Sequence, residues 1–153
     1  MSVIRGLLLG DDARVAAWAF RTYNFRPTPV DSAIGIVDPD GTLVGAGLYQ
    51  NFNGADIQGS YYGRRTLTPG IVRALVRGAL AYDPSRLTVV TSKKNRRLIR
   101  FLQKIGFRLE GAQRRYYGPR DCARNTGVRL VMFREQMDKI AGTAQPHAAK
   151  ETG

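Results

Sequence analysis

The sequence predicts an α/β fold built on a mixed sheet, and three observations carry that expectation. Strand signals come first in a run, a helix–strand–helix stretch follows, and strand signals return before the end. The turn sequences DPDG and NFNGAD separate three consecutive strand signals, so the early part reads as an antiparallel meander. Two amphipathic patterns in the middle of the chain supply helices for the faces of the sheet. Neither a doubly wound parallel sheet nor a closed barrel has this order.

Residues 3–9 read as a first strand, and Asp11 or Asp12 can cap a helix carrying Val15, Trp18, Ala19 and Thr22 on one face. Two prolines keep 25–30 out of regular helix. Strands are expected at 32–37, 43–51 and 56–62. Over 68–81 the stripe Ile71, Val72, Leu75, Val76, Ala79 and Leu80 predicts a helix, with Arg73 and Arg77 outward. A short β-branched strand at 87–91 precedes a second helix at 95–105. That helix turns Leu98, Phe101, Leu102 and Ile105 inward and Arg96, Arg97, Arg100 and Lys104 outward. Strands at 107–116 and 128–133 close the body. From Gly142 onward the chain is small and polar without an apolar stripe, so a mobile tail is expected after a single domain over 1–141. His147, the only histidine, lies in that tail, where nothing would hold a general base in place.

Composition narrows the class. The chain has 153 residues, 43% of them apolar, which is the size and make-up of one globular domain. No stretch approaches the roughly 20 apolar residues of a membrane span, and the first apolar run is too short for a signal peptide. A lone cysteine, Cys122, cannot form an internal disulfide and fits a reducing compartment, so the expected location is cytoplasmic. No membrane partner and no metal site are expected. The formal net charge is +12, and it is uneven. Residues 64–129 hold seventeen Lys or Arg against Asp83, Glu110 and Asp121, a balance of +14, while the remainder sums to −2. Such asymmetry points to a polyanionic partner, nucleic acid included, although a solvated arginine-rich surface gives the same count.

Two segments carry candidate chemistry. In YYGRRTLTPGIVRAL, Thr68 is a good N-cap and Pro69 at the first helical position gives up no needed donor. The amides of Gly70, Ile71 and Val72 would then face outward at the positive end of the helix dipole, with Arg64 and Arg65 just before them. Such an end can hold a phosphate. In NRRLIRFLQKIGF, Asn95 caps a helix, Gly106 supplies a left-handed stop and Phe107 enters the next strand.

The second segment, with the following RLEGAQRRYYG, resembles the GNAT family of N-acetyltransferases over residues 95–116. Glu110, Gly111 and Arg114 match the continuation seen in ribosomal-protein-alanine acetyltransferases, and phage-encoded GNAT-like proteins are similar as well. The resemblance implies a GNAT fold: a mostly antiparallel N-terminal meander, a central parallel pair that splays, and helices on both faces. It implies acetyl-CoA as co-substrate, lying between strands 56–62 and 87–91, with its phosphates at Thr68, Gly70, Ile71 and Val72 and beside Arg64 and Arg65. Asn95 would meet the pantetheine arm, and the strand ending at Tyr62 would pair with it. A backbone amide at Tyr61 or Tyr62 would polarise the thioester carbonyl. The chain departs from the family pattern at Leu67, in place of Gln or Arg, at Val72, in place of a small residue, and at Leu102, in place of a tyrosine acid.

Substitutes for that acid and for a base are Asp56, Gln58, Tyr61 and Tyr116, with Glu110 as the one acid near the groove. The implied activity is N-acetyl transfer to a primary amine by direct attack in a ternary complex. The acceptor would be a protein N-terminus or an RNA-linked amine, and the protein could act as a homodimer. The alternative is a non-catalytic GNAT-fold protein, virion-associated or nucleic-acid-binding, with a degraded cofactor loop.

Overall fold

The computed structural model describes residues 2–4, 6–63 and 67–142. They fall into two compact units, divided between Asp83 and Pro84. In unit one, β1 (Ser2–Ile4), β2 (Leu7–Leu9), β3 (Ser32–Val37), β4 (Leu43–Gln50) and β5 (Asp56–Gly63) form an antiparallel meander. The single strand expected over 3–9 is instead a hairpin. Val3 pairs with Leu8 and Ile4 with Leu7, and Gly6 turns the chain at φ 81°. Both expected turns form as their side chains dictate. Asp38 accepts the amides of Asp40 and Thr42 at 2.9 and 3.0 Å, and Asn53 accepts those of Ala55 and Asp56 at 2.9 and 2.7 Å.

Helix α1 (Asp12–Thr22) covers one face of this sheet. It buries Val15, Ala16, Ala19 and Phe20 against Ala33, Ala46 and Leu48. Thr22, expected inward, is exposed, and Trp18 is half-buried. The true stripe is rotated toward Phe20, the larger apolar group. Asp11 is the N-cap residue but makes no side-chain cap bond, while the Asp12 carboxylate accepts the Ala33 amide at 3.1 Å and ties the helix start to β3.

Helix α2 (Pro69–Leu80) packs on the other face, where side chains fill the space that glycines leave. A Cβ on Gly47 would collide with Leu75, and a Cβ on Gly78 would collide with the Tyr49 phenol and lie 2.8 Å from Ile34 Cδ1. Tyr49, buried in between, donates its hydroxyl to the Leu75 carbonyl at 2.5 Å. Burial, reinforced by the neighbouring Tyr82 phenol, raises its pKa well above the usual phenol value.

Unit two contains β6 (Arg86–Ser92), α3 (Arg96–Lys104), β7 (Arg108–Gln113), β8 (Gly127–Phe133) and α4 (Arg134–Gly142). Strand β8 is central and antiparallel to both β6 and β7. Of the four α3 residues expected inward, Leu102 is buried and Leu98, Phe101 and Ile105 are half-buried. Gly106 stops α3 at φ 116°, and its missing side chain makes room for Gln136, whose amide donates to the Ile105 carbonyl at 3.0 Å.

Helix α4 is not foreseen in the sequence reading. It follows β8 without a loop, buries Met137 and Ala141, and is fastened by Arg134, which donates to the Pro84 and Ser85 carbonyls. Gly142, expected to open a tail, lies within this helix, and the rest of the expected tail, with His147, lies outside the described residues. No helix among the described residues is long and apolar enough to cross a membrane.

Two outcomes test the packing of α2. Gly→Ala inside a helix ordinarily gains up to about 1 kcal/mol. Here Gly78→Ala should instead lose about 1–3 kcal/mol in urea unfolding, because the added methyl meets the Tyr49 ring. Tyr49 stays protonated when folded, whereas the unfolded phenol ionises near pH 10. Its stabilisation is therefore complete below about pH 10 and declines as pH rises further, by up to about 1.4 kcal/mol per pH unit. Tyr49→Phe should flatten the high-pH slope by that amount.

Candidate functional site

In unit one the expected site residues lie on β5 and at the start of α2. Alternation along β5 sends neighbouring side chains to opposite faces. Tyr62 lies opposite Ala46 on the α1 face, and Tyr61 lies opposite Gly47 on the α2 face. Asp56 and Gln58 share the face of Tyr62. The structure thus places Asp56, Gln58 and Tyr62 on one face of β5, spread along about 20 Å of strand, and turns Tyr61 away from them. Tyr61 lies across the paired glycines Gly45 and Gly63, since a Cβ on either would sit 2.8 or 2.5 Å from its hydroxyl. Gln58 is also engaged, accepting the Asn51 side-chain amide at 2.9 Å.

The Tyr62 ring is part of an aromatic group the sequence reading did not assemble. It lies 5.6 Å from Tyr23 and 5.4 Å from Phe25, and Trp18 meets Tyr23 edge-on at 6.1 Å. Among the described residues, the Tyr23 hydroxyl is the buried side-chain polar atom without a hydrogen-bond partner. An unmet buried hydroxyl costs about 1–3 kcal/mol, so Tyr23 carries a cost that its aromatic neighbours do not relieve. The available signal was an aromatic cluster, Trp18, Phe20, Tyr23 and Phe25, at the end of a helix. A groove of about 550 Å³ runs along α1 past Ala17, Arg21 and Pro27 and shares Phe25 with this aromatic group, and none of the expected site residues lines it.

The start of α2 differs from expectation in its hydrogen bonding. Thr68 caps the helix, accepting the Ile71 amide on Oγ1 at 3.2 Å, and the Val72 amide donates to the Thr68 carbonyl at 2.9 Å. The expectation of three outward amides fails, because the cap and the first helical bond use two of them. Gly70 retains the outward amide. The Val72 side chain is buried in the core, so it does not stand in front of the helix end. A Cβ at Gly70 would meet nothing nearer than Thr68 Oγ1 at 4.0 Å, so the helix end is open in front of that residue. Arg64 and Arg65 lie outside the described residues.

Unit two holds the remaining candidates. Asn95 is the N-cap residue of α3 but makes no side-chain cap bond, its side-chain amide donating instead to Thr91 Oγ1 at 2.9 Å. Leu102 is 5% exposed, so the position that resembles the family's tyrosine acid faces the core. Tyr116 is 46% exposed and packs edge-on to Tyr117 at 4.8 Å. Glu110 is gripped by the Arg86 guanidinium, with Arg86 Nη1 3.1 Å from Oε2. The bond from Arg86 is the main reason its pKa is lowered, which suits a fixed ion pair and not a proton-accepting base. Among the described residues, no three His, Cys, Asp or Glu side chains gather as metal ligands.

Neither a family model nor a curated protein matches the sequence. Solved structures do match. A protein assigned as a phosphinothricin N-acetyltransferase superposes with a TM-score of 0.66 at 14% identity, covering 83% of this chain and 96% of that one. The IAA acetyltransferase from Bacillus cereus ATCC 14579 gives 0.57 at 17% identity, covering 67% and 77%. A GNAT family acetyltransferase from Elizabethkingia anophelis, solved with acetyl-CoA bound, gives 0.57 at 9% identity, covering 67% and 75%.

Tyr23→Phe tests the unmet hydroxyl. Removing an unpaired buried group should raise the unfolding free energy by about 1 kcal/mol, read from thermal melts. A fall of similar size would mean that the hydroxyl has a bound water or another partner in solution.

Proposed function

Because the chain has the fold of the GNAT acetyltransferases, we propose that it transfers the acetyl group of acetyl-CoA to a primary amine, by direct attack in a ternary complex. The observation that carries this reading is the likeness in fold to several acetyltransferases, one of them solved with acetyl-CoA. Acetyl-CoA supplies the activated acetyl thioester. The Gly70 end of α2 fits one of its phosphates: one amide points outward, the helix dipole is positive there, and among the described residues nothing comes nearer a Cβ at Gly70 than Thr68 Oγ1 at 4.0 Å. Arg64 and Arg65 are assigned the added charge. Asp56 and Gln58, at the start of β5, are assigned to the acceptor side, where an amine would meet a carboxylate; Tyr62, about 20 Å along the strand from Asp56, is assigned to the aromatic group with Tyr23 and Phe25. Tyr61, on the opposite side of β5, takes the proton-donating role that Leu102 cannot perform.

A second reading, a GNAT-fold protein that no longer catalyses, is favoured by two observations. The Ile71 and Val72 amides are used within the protein, and Leu102 is committed to the core.

Calorimetric titration with acetyl-CoA separates the two. Micromolar binding supports the transferase, and no heat up to millimolar ligand supports the non-catalytic reading. Gly70→Glu should abolish binding without lowering the melting temperature, since the new side chain meets open space. Unchanged affinity in that variant would remove the phosphates from the α2 end.

A further inference from the structure

We propose that one end of unit two, where the turn after β6 meets the connection between β7 and β8, is a binding surface for single-stranded nucleic acid. This goes beyond acetyl transfer and does not depend on it.

Hydrogen bonds join two segments that are distant in sequence. The Lys93 amide donates to the Thr126 carbonyl at 2.8 Å, and the Ser92 hydroxyl donates to the Arg124 carbonyl at 2.7 Å. Tyr117 is fixed from both ends, its amide donating to the Asn125 carbonyl at 3.1 Å and its hydroxyl to the Val90 carbonyl at 3.3 Å. Lys93, Lys94, Arg120 and Arg124 thereby come to one surface, all exposed, with Arg96 and Arg97 following in the first turn of α3. The single acid in these segments, Asp121, is 2.8 Å from Arg114 and neutralises none of the others. The charge is left for a partner, and a phosphate backbone is the polyanion that answers a row of spaced cations.

Charge alone would attract any polyanion, and the tyrosines narrow the choice. Tyr116 and Tyr117 are 46% and 42% exposed in the midst of these cations. Tyr116 is pressed against Gly127, where a Cβ would lie 2.9 Å from its Cγ, so its ring is held in place. Exposed, immobilised rings among cations offer bases a stacking platform, and bases can reach it when they are unpaired. A duplex keeps its bases stacked on one another and would use the cations alone.

The test is fluorescence anisotropy of the full chain with a labelled single-stranded oligonucleotide and with the same sequence as a duplex, over a range of salt. The single strand should bind more tightly at every salt concentration. Tyr116→Ala should weaken it about tenfold without changing the salt slope, and Tyr116→Phe, which keeps the ring, should bind as the parent does. Replacing Lys93, Lys94 and Arg124 together by Ala should flatten the slope by about two units, since each phosphate contact on a single strand contributes about 0.7. Equal affinity for the duplex with no effect of Tyr116→Ala would overturn the proposal and leave a plain polyanion attractor. Displacement of the oligonucleotide by stoichiometric coenzyme A would also overturn it, because the cations would then serve a nucleotide phosphate.

Discussion

The Tyr49 contact between β4 and α2 is the one on which the placement of that helix depends. A helix packed on a sheet usually stands off by the thickness of the side chains between them. Here Gly47 and Gly78 have none, and Leu75 and the Tyr49 ring fill the space they leave. The Tyr49 hydroxyl then donates to the Leu75 carbonyl, so a buried phenol is satisfied and the helix is pinned at its middle. Pinning fixes more than the middle. At about 1.5 Å per residue, the capped start of α2 is only some 9 Å away, and a rigid helix carries the constraint to Gly70. The neighbouring glycine, Gly45, repeats the device for Tyr61.

Much of this was legible in the sequence, and the omissions have physical causes. Glycine, aspartate and asparagine at turns announce themselves through backbone chemistry that needs no tertiary context, so DPDG and NFNGAD read correctly. The hairpin at β1 and β2 did not, because three-residue strands on either side of Arg5 and Gly6 have too little alternation to show. Helix α4 was hidden for a related reason. Met137 and Ala141 form a stripe of two residues in a charged stretch, and the helix begins where β8 ends, without a cap residue to mark it. On α1 the choice of face was settled by the volume of Phe20 against Ala33 and Leu48, which periodicity alone does not weigh.

The candidate site was legible as a set of positions and not as a set of free groups. Thr68 was recognised as a cap, and a cap consumes the donor it accepts. The count of amides left for a ligand therefore had to fall once the cap was granted. Parity also stood in the sequence: Tyr61 and Tyr62 are adjacent on a strand, so they had to diverge. Asn95 was harder. An Asn before a helix is a good cap by type, but Thr91 four residues earlier offers its hydroxyl, and the side chain turns to it instead. Tyr23 lay beyond sequence reasoning, because the lack of a partner is a property of the assembled neighbours.

Charge divides the chain along the same line as the fold. Residues 84–153 carry sixteen Lys or Arg against five Asp or Glu, while residues 1–83 carry eight against seven. Pairing does not reduce the imbalance. Of the four acids among the described residues of unit two, Glu110, Asp121 and Asp138 are already bound to Arg86, Arg114 and Arg134. The cations left over repel one another, and the helix dipole adds to that repulsion at Arg96 and Arg97. A surface of this kind is held by the apolar packing beneath it, here Leu130, Met132 and Met137, all fully buried. A coenzyme with a few phosphates, bound at the Gly70 end, would call for cations in unit one, and Arg64 and Arg65 stand closest to it in sequence. The larger excess is in the other unit, and the proposed single-strand surface would give that charge a partner.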